Sequence, residues 1–180
     1  MNDELSIWTV GHSTHRAEEF SSLLHSNQIK TLVDVRSYPS SKRHPQFDRM
    51  ALSGYLSGLG INYFHFPLLG GRRSPKTDSH NTAWQNASFR AYADYMETDP
   101  FHEGVRELLE LAARDRTAIM CAESLWWRCH RSLISDYLKA KGVSVVHILS
   151  ETKTELHPYT AAAKIVDGEL SYRGLLDVEG

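Results

Sequence analysis

Two rhythms of apolar and polar positions alternate along the chain. Short β-rich runs at 7–10, 31–35, 61–68, 117–121 and 143–149 each predict a strand. Between them, apolar side chains return every three or four positions, the spacing of a helix with one buried face. Phe20, Leu23, Leu24 and Ile29 mark the first such helix, and residues 48–59 a second with Asp48 as its N-cap. Phe89, Tyr92, Ala93 and Met96, then Val105, Leu108, Leu109 and Ala112, predict a helical stretch broken at Asp99-Pro100, because proline cannot donate into a helix interior. Residues 125–141 predict a last long helix that ends at Gly142.

Strands that alternate with helices pair in parallel, since parallel neighbours need crossover connections. The expected fold is therefore a single three-layer, Rossmann-like α/β domain over residues 1–180, with a mostly parallel sheet of about five strands. Its core spans residues 6–150, and 151–180 form an appended segment with a small hairpin turning at Asp167-Gly168. Residues 37–48 and 72–86 carry polar side chains and breakers without a period, and predict loops long enough to serve a function.

Composition narrows the class further. A chain of 180 residues with 41% hydrophobic and 23% charged residues can bury a core and is neither disordered nor coiled coil. The formal net charge is -2, so no whole-protein field attracts a polyanion. Cys121 and Cys129 alone cannot form a secreted disulfide framework, and reduced thiols are expected. The N-terminal stretch carries acids where a signal peptide carries basic residues, and no apolar run is long enough for a membrane span. A cytoplasmic location and no membrane partner are the resulting expectations.

In open parallel sheets ligands bind beyond the carboxyl ends of the strands. Those positions are polar here. His12 and Ser13 follow the first strand, Asp34 and Arg36 end the second, Gly70, Gly71, Arg72 and Arg73 follow the third, and Cys121 and Glu123 end the fourth. Cys129, His130 and Arg131 are expected in the first turns of the next helix. Asp34 and Glu123 are candidate acid/base groups, a carboxylate between apolar strand residues and basic loops being suited to that work. A salt bridge from Asp34 to Arg36 or Arg131 is the structural alternative. His12 contacts either a ligand or a neighbouring loop.

Between residues 36 and 76 seven Lys or Arg side chains face one acid, Asp48. Arg36, Arg43, Arg72 and Arg73 are the candidate phosphate holders, because guanidinium pairs bidentately with phosphate. A solvated basic loop explains the same charges without a ligand. Trp84, Trp126 and Trp127 can stack on bases or serve the core. Cys121, at a strand end before a helix, is a candidate nucleophile. Its spacing to Arg128 is one residue longer than in cysteine phosphatases, with no glycine in the loop, and a small buried role is the alternative. No spacing matches a structural zinc site, and neither metal nor cofactor is expected.

Five ordered segments carry a resemblance to a known family: TVGHS (9–13), LVDVRSYPSSKRHPQF (32–47), INYFHFPLLGGRR (61–73), CAES with CHR (121–131), and HPYTAAAKIVDGELSY (157–172). Together they resemble the DUF488 family of bacterial and archaeal proteins. Members often carry a proline where this chain has Trp126. The family name states no reaction, and the loose label of DNA repair that members carry implies a nucleic-acid connection.

Three functions follow as expectations. The first is an enzyme acting on nucleic acid or a nucleotide-like phosphorylated substrate, with Asp34 or Glu123 as acid/base, His12, Ser13 and Arg131 completing the site, and a hydrolase or lyase reaction. The second is a cysteine-dependent, rhodanese- or phosphatase-like enzyme using Cys121, with Cys129 and His130 beside it. The third is a non-catalytic module binding nucleic acid or phosphate through the same arginines.

Overall fold

A strand buried on both faces reads as a continuous apolar run, and TLVD and TAIMC are buried along their whole length. The computed structural model describes residues 4–174. It shows an α/β fold with five parallel strands: β1 (Ser6–Gly11), β2 (Thr31–Asp34), β3 (Asn62–His65), β4 (Thr117–Cys121) and β5 (Ser144–Ile148). A short β6 (Thr154–Leu156) adds antiparallel to β5, giving the order β3-β2-β4-β1-β5-β6. The helices are α1 (Ala17–Ser26), α2 (Arg49–Gly58), α3 (Ala87–Tyr95), α4 (Asp99–Ala112) and α5 (Arg131–Ala140).

Alternate strand residues feed the two layers. Leu32, Ala118 and Met120 join Phe20, Leu24, Leu52 and Leu56 of α1 and α2, whereas Val33, Ile119 and Cys121 join Tyr92, Phe101, Leu108, Leu133 and Leu138 of α3, α4 and α5. The helices that follow β1 and β2 thus cover one face, and those that follow β3 and β4 cover the other. Neighbours β1 and β4 send their outgoing loops to opposite sides of the sheet, which opens a crevice at their carboxyl ends.

Local signals acted where their chemistry is strongest. Pro100 sits in the first turn of α4, whose start needs no donor there, and so separates α4 from α3. Gly142 takes φ 83 after α5, its N–H bonding Lys139 and that of Val143 bonding Leu138, a left-handed stop that few side chains tolerate. Asp167 and Gly168 both have positive φ, which a two-residue turn between twisted strands requires, and join β7 (Lys164–Val166) to β8 (Glu169–Ser171).

The expected mostly parallel sheet is present, with β6 pairing onto β5 as a sixth strand. Two boundaries differ from expectation. The third strand stops at His65, because Pro67 opens a 3-10 turn. The helix expected from residue 125 begins at Arg131. A single 3-10 turn (Trp126–Arg128) precedes it, and Cys129 is extended, at φ -139 and ψ 173. The carbonyls of Glu123 and Ser124 there accept from the Arg131 guanidinium rather than from helical amides. Cys129 and His130 therefore lie before the helix, not within its first turns.

The close approach of β1 to the loop after β4 depends on Gly11, where a Cβ would lie 2.0 Å from the Glu123 carbonyl oxygen. Gly11→Ala is expected to cost about 3 kcal/mol, through backbone displacement. Gly54→Ala, exposed in α2 with nothing within 4 Å of the new Cβ, is expected to gain about 0.5 kcal/mol. Urea midpoints at unchanged slope measure both, and equal midpoints for the two variants would contradict the contact at Gly11.

Candidate functional site

The sheet ladder continues past its strands and knits the site. His12 and Ser13 donate their backbone N–H groups to the Cys121 and Ala122 carbonyls, at 2.9 and 3.0 Å, and Val35 donates to Met120 at 2.9 Å. His130 reaches back from the start of α5 to the Val35 carbonyl at 2.9 Å, with Gly71 so close that a Cβ there would strike the imidazole. Segments following β1, β2, β3 and β4 thus meet beside the crevice.

Two thiols occupy its floor. Cys121 Sγ and Cys129 Sγ are 3.1 Å apart, and Arg131 Nε donates to both, at 3.0 and 3.4 Å. Burial alone pushes both thiols up. On Cys129 the hydrogen bond from Cys121 and the Arg131 charge overcome burial and bring the thiol from 9.0 down to about 6, while Cys121 is held well above 9.0. Residue exposure agrees: Cys121 is 3% exposed, and Cys129 is half-buried.

Arg131 is itself buried and, among the described residues, no carboxylate touches it. It bonds the thiols, the Glu123 and Ser124 carbonyls, and Thr9 Oγ1 at 3.1 Å. Thr9 passes the chain onward. Thr9 Oγ1 lies 2.6 Å from His147 Nδ1, His147 Nε2 lies 2.8 Å from His157 Nδ1, and His157 Nε2 lies 2.8 Å from Asp136 Oδ1. Thr160 and Tyr172 complete the Asp136 carboxylate at 2.6 and 2.7 Å.

Asp136 only accepts, so His157 carries hydrogen on Nε2, and Thr9 accepts from Arg131 Nη1. Burial, with His157 and Arg131 alongside, lowers His147 to about 2, consistent with a neutral ring there. Arg131 and Asp136, both on α5, are therefore joined through a threonine and two imidazoles. Thr9, His147, His157, Asp136 and Tyr172 were all missed as site residues. The sequence signals were polar side chains inside apolar runs, as with His147 in the fifth strand, and the family segments 9–13 and 157–172 that contain Thr9, His157 and Tyr172.

The second candidate group is arranged differently. Asp34 is fully buried and takes Arg36 Nε and Nη2 at 2.9 and 2.6 Å, Arg36 N at 3.1 Å and the Tyr63 hydroxyl at 2.5 Å. Burial and the neighbouring Asp34 raise Tyr63. Arg36 Nη1 donates to His12 Nε2 at 3.3 Å, and His12 Nδ1 donates to the Ser13 carbonyl at 2.9 Å. His12 stacks on Phe47 at 4.2 Å. This is the salt bridge anticipated as the structural alternative for Asp34, and it fixes the Arg36 guanidinium rather than leaving a carboxylate open to a ligand.

A cleft of about 330 Å³ opens above the thiols, lined by Arg36, Tyr38, Arg72, Cys121, Glu123 and Cys129 among others. Arg72 is exposed at its rim, 5.3 Å from the Tyr38 ring, with its backbone anchored by Ser37 at 2.9 Å. Glu123 is half-buried there, its carboxylate accepting from Leu125 N at 3.1 Å. Arg73 turns away, bonding the Gly70 and Pro67 carbonyls and lying 3.5 Å over the Tyr95 ring. Arg43 is exposed on its loop and does not line this cleft. Among the described residues no group of three or more His, Cys, Asp or Glu side chains is arranged to hold a metal ion.

Two buried imidazoles and the half-buried His130 set a pH dependence. Burial lowers His12 and His130 from 6.5 to about 4, and His147 to about 2. Their folded values lie below the unfolded one, so the unfolded chain binds more protons in acid. Stability should be full above 6.5 and fall as pH drops toward 4, by up to about 1.4 kcal/mol per pH unit for each ring. Urea unfolding at about pH 7.5 and about pH 5 measures it; an unchanged midpoint would mean the rings titrate normally in the fold.

A family model, domain of unknown function DUF488, matches residues 16–138. The span holds β2, β3, β4 and the cysteine-to-arginine segment; the TVGHS and C-terminal motifs lie outside it. No curated protein and no solved structure matches the chain. No helix of the described residues is long and apolar enough to cross a membrane. With more than half of its length matched, and the fold and the motif-bearing strand ends in place, the chain belongs to the DUF488 family.

Proposed function

We propose that this protein is a thiol-dependent enzyme, in which the Cys129 thiolate attacks an electrophilic centre of a small anionic substrate held in the cleft. The observation that carries this is the pair of thiols 3.1 Å apart on one buried guanidinium, at the floor of an open cleft beyond the carboxyl ends of the strands. Cys129 rather than Cys121 is the nucleophile, because it is the more exposed cysteine and the one whose thiol is brought down to about 6. Cys121 donates a hydrogen bond to it, and Arg131 supplies the fixed charge.

Arg72 gives the cleft its preference for an anion, while Arg36, its charge paired with Asp34, lines the wall. Arg36 is positioned by Asp34 and His12, so Asp34 acts through Arg36 and not as a base. Glu123, on the cleft wall, remains the group placed for proton transfer. A volume of about 330 Å³ admits a metabolite or a single nucleotide. A phosphorylated or nucleotide-like substrate thus fits both the charge and the size, and a nucleic acid fits only by presenting an end or an unstacked residue.

The loop after Cys121 distinguishes this site from a phosphatase cradle. Its Glu123 and Ser124 carbonyls point at Arg131, so it presents acceptors inward where a phosphate-wrapping loop presents amides.

Iodoacetamide alkylation followed by peptide mass mapping tests the assignment. Cys129 should label first, with a rate inflecting near pH 6. A nucleoside monophosphate should slow labelling in the parent protein, and Arg72→Ala should remove that protection without moving the inflection. Labelling confined to Cys121, or an inflection near the free-thiol value of about 8.5, would overturn the proposal.

A further inference from the structure

We infer that Cys121 and Cys129 form a reversible dithiol–disulfide couple that reacts with acidic low-molecular-weight disulfides. The inference rests on Cys129 being the nucleophilic thiol, and adds to that reading an electron-transfer reaction and a partner chemistry. Its basis is geometric. The sulfurs are 3.1 Å apart, so a closure of about 1 Å makes the bond. Cys129 is extended and precedes α5, so the movement does not have to break a helical turn.

Exposure fixes the order of events. The Cys129 thiolate reaches the cleft and attacks one sulfur of an incoming disulfide. The incoming S–S bond breaks, one thiolate leaves and takes up a proton, and a mixed disulfide remains on Cys129. Cys121, 3% exposed behind it, then gives its proton to the second departing thiolate and attacks Cys129 Sγ. The internal disulfide forms as the mixed one breaks. From the thiolate–thiol pair the protein loses two electrons and the Cys121 proton, solvent supplies the proton taken up by the first departing thiolate, and the external disulfide becomes two thiols.

The surroundings make this couple labile rather than structural. Arg131 is buried with no carboxylate in contact among the described residues, and a thiolate is its nearest available anion. Oxidation removes that anion and leaves the guanidinium facing two uncharged sulfurs, which favours the reduced form. Arg72 at the cleft rim selects a disulfide bearing carboxylates. Oxidised glutathione is such a molecule, and closing the pair would silence the proposed Cys129 nucleophile.

The full-length protein is incubated with oxidised glutathione at neutral pH, quenched with acid, alkylated and weighed by mass spectrometry. The parent should lose two hydrogens, resist alkylation at both cysteines, and recover with dithiothreitol. Cys121→Ser should stop at the glutathione adduct on Cys129, and Cys129→Ser should react about tenfold more slowly. Arg72→Ala should slow the first step. If the parent also stops at the adduct, or stays unmodified while iodoacetamide still labels Cys129 near pH 6, the couple is refuted and the nucleophile stands. If iodoacetamide shows no such thiolate, the nucleophile reading itself fails, and this inference with it.

Discussion

Everything at the carboxyl edge of the sheet is organised by the need to keep one buried guanidinium satisfied. Arg131 is 1% exposed at the first position of α5, where its charge has left water and must be matched inside the protein. Its bonds reach β4 through Cys121, the following loop through two carbonyls, and β1 through Thr9. From Thr9 the network runs through His147 of β5 and His157 to Asp136, where Thr160 and Tyr172 of the C-terminal segment are held. The segment expected as an appendage is thereby tied to the core.

The protein contains a second buried arginine, and the comparison shows why only one of them is chemically poised. Arg36 meets Asp34 with two nitrogens, so its charge is cancelled at hydrogen-bond distance by a group that stays put. Removing Asp34 would strand that cation, so this pair behaves as part of the scaffold. Arg131 has its carboxylate at the far end of a relay, beyond Thr9 and two imidazoles. The near field of the guanidinium is left to two sulfurs, and stabilising a thiolate is what that field does.

Much of this fold was legible because its signals are local. The central strands β2 and β4 are mostly apolar runs buried throughout, Pro100 divides α3 from α4, and Asp167-Gly168 turns the hairpin, each by its own backbone chemistry. The helix start at Arg131 was not legible. TLVD and TAIMC declare their burial in composition, but nothing in LWWRCHR reveals that the preceding carbonyls turn toward the Arg131 guanidinium. Strand ends single out His12, Arg36, Cys121 and Glu123, which the fold gathers beside the crevice together with Arg131, because chain topology alone sets which ends face it. Spacing could not show that Arg73 is occupied by carbonyls and Tyr95, or that Arg43 lies away from the cleft.

The identity of the reactive sulfur illustrates the same limit from the side of energetics. Cys121 has the more suggestive sequence position, at a strand end, but Cys121 is also the sulfur most thoroughly removed from water. Two thiols in contact beside one cation cannot both ionise cheaply, since the second anion would repel the first. The proton therefore stays where desolvation is worse, on Cys121, and the thiol brought down to about 6 is Cys129, the more exposed of the two residues that line the cleft. Burial ranks the two cysteines, and the guanidinium makes the ranking matter. A serine at either position would alter both, because each thiol is part of the other's environment.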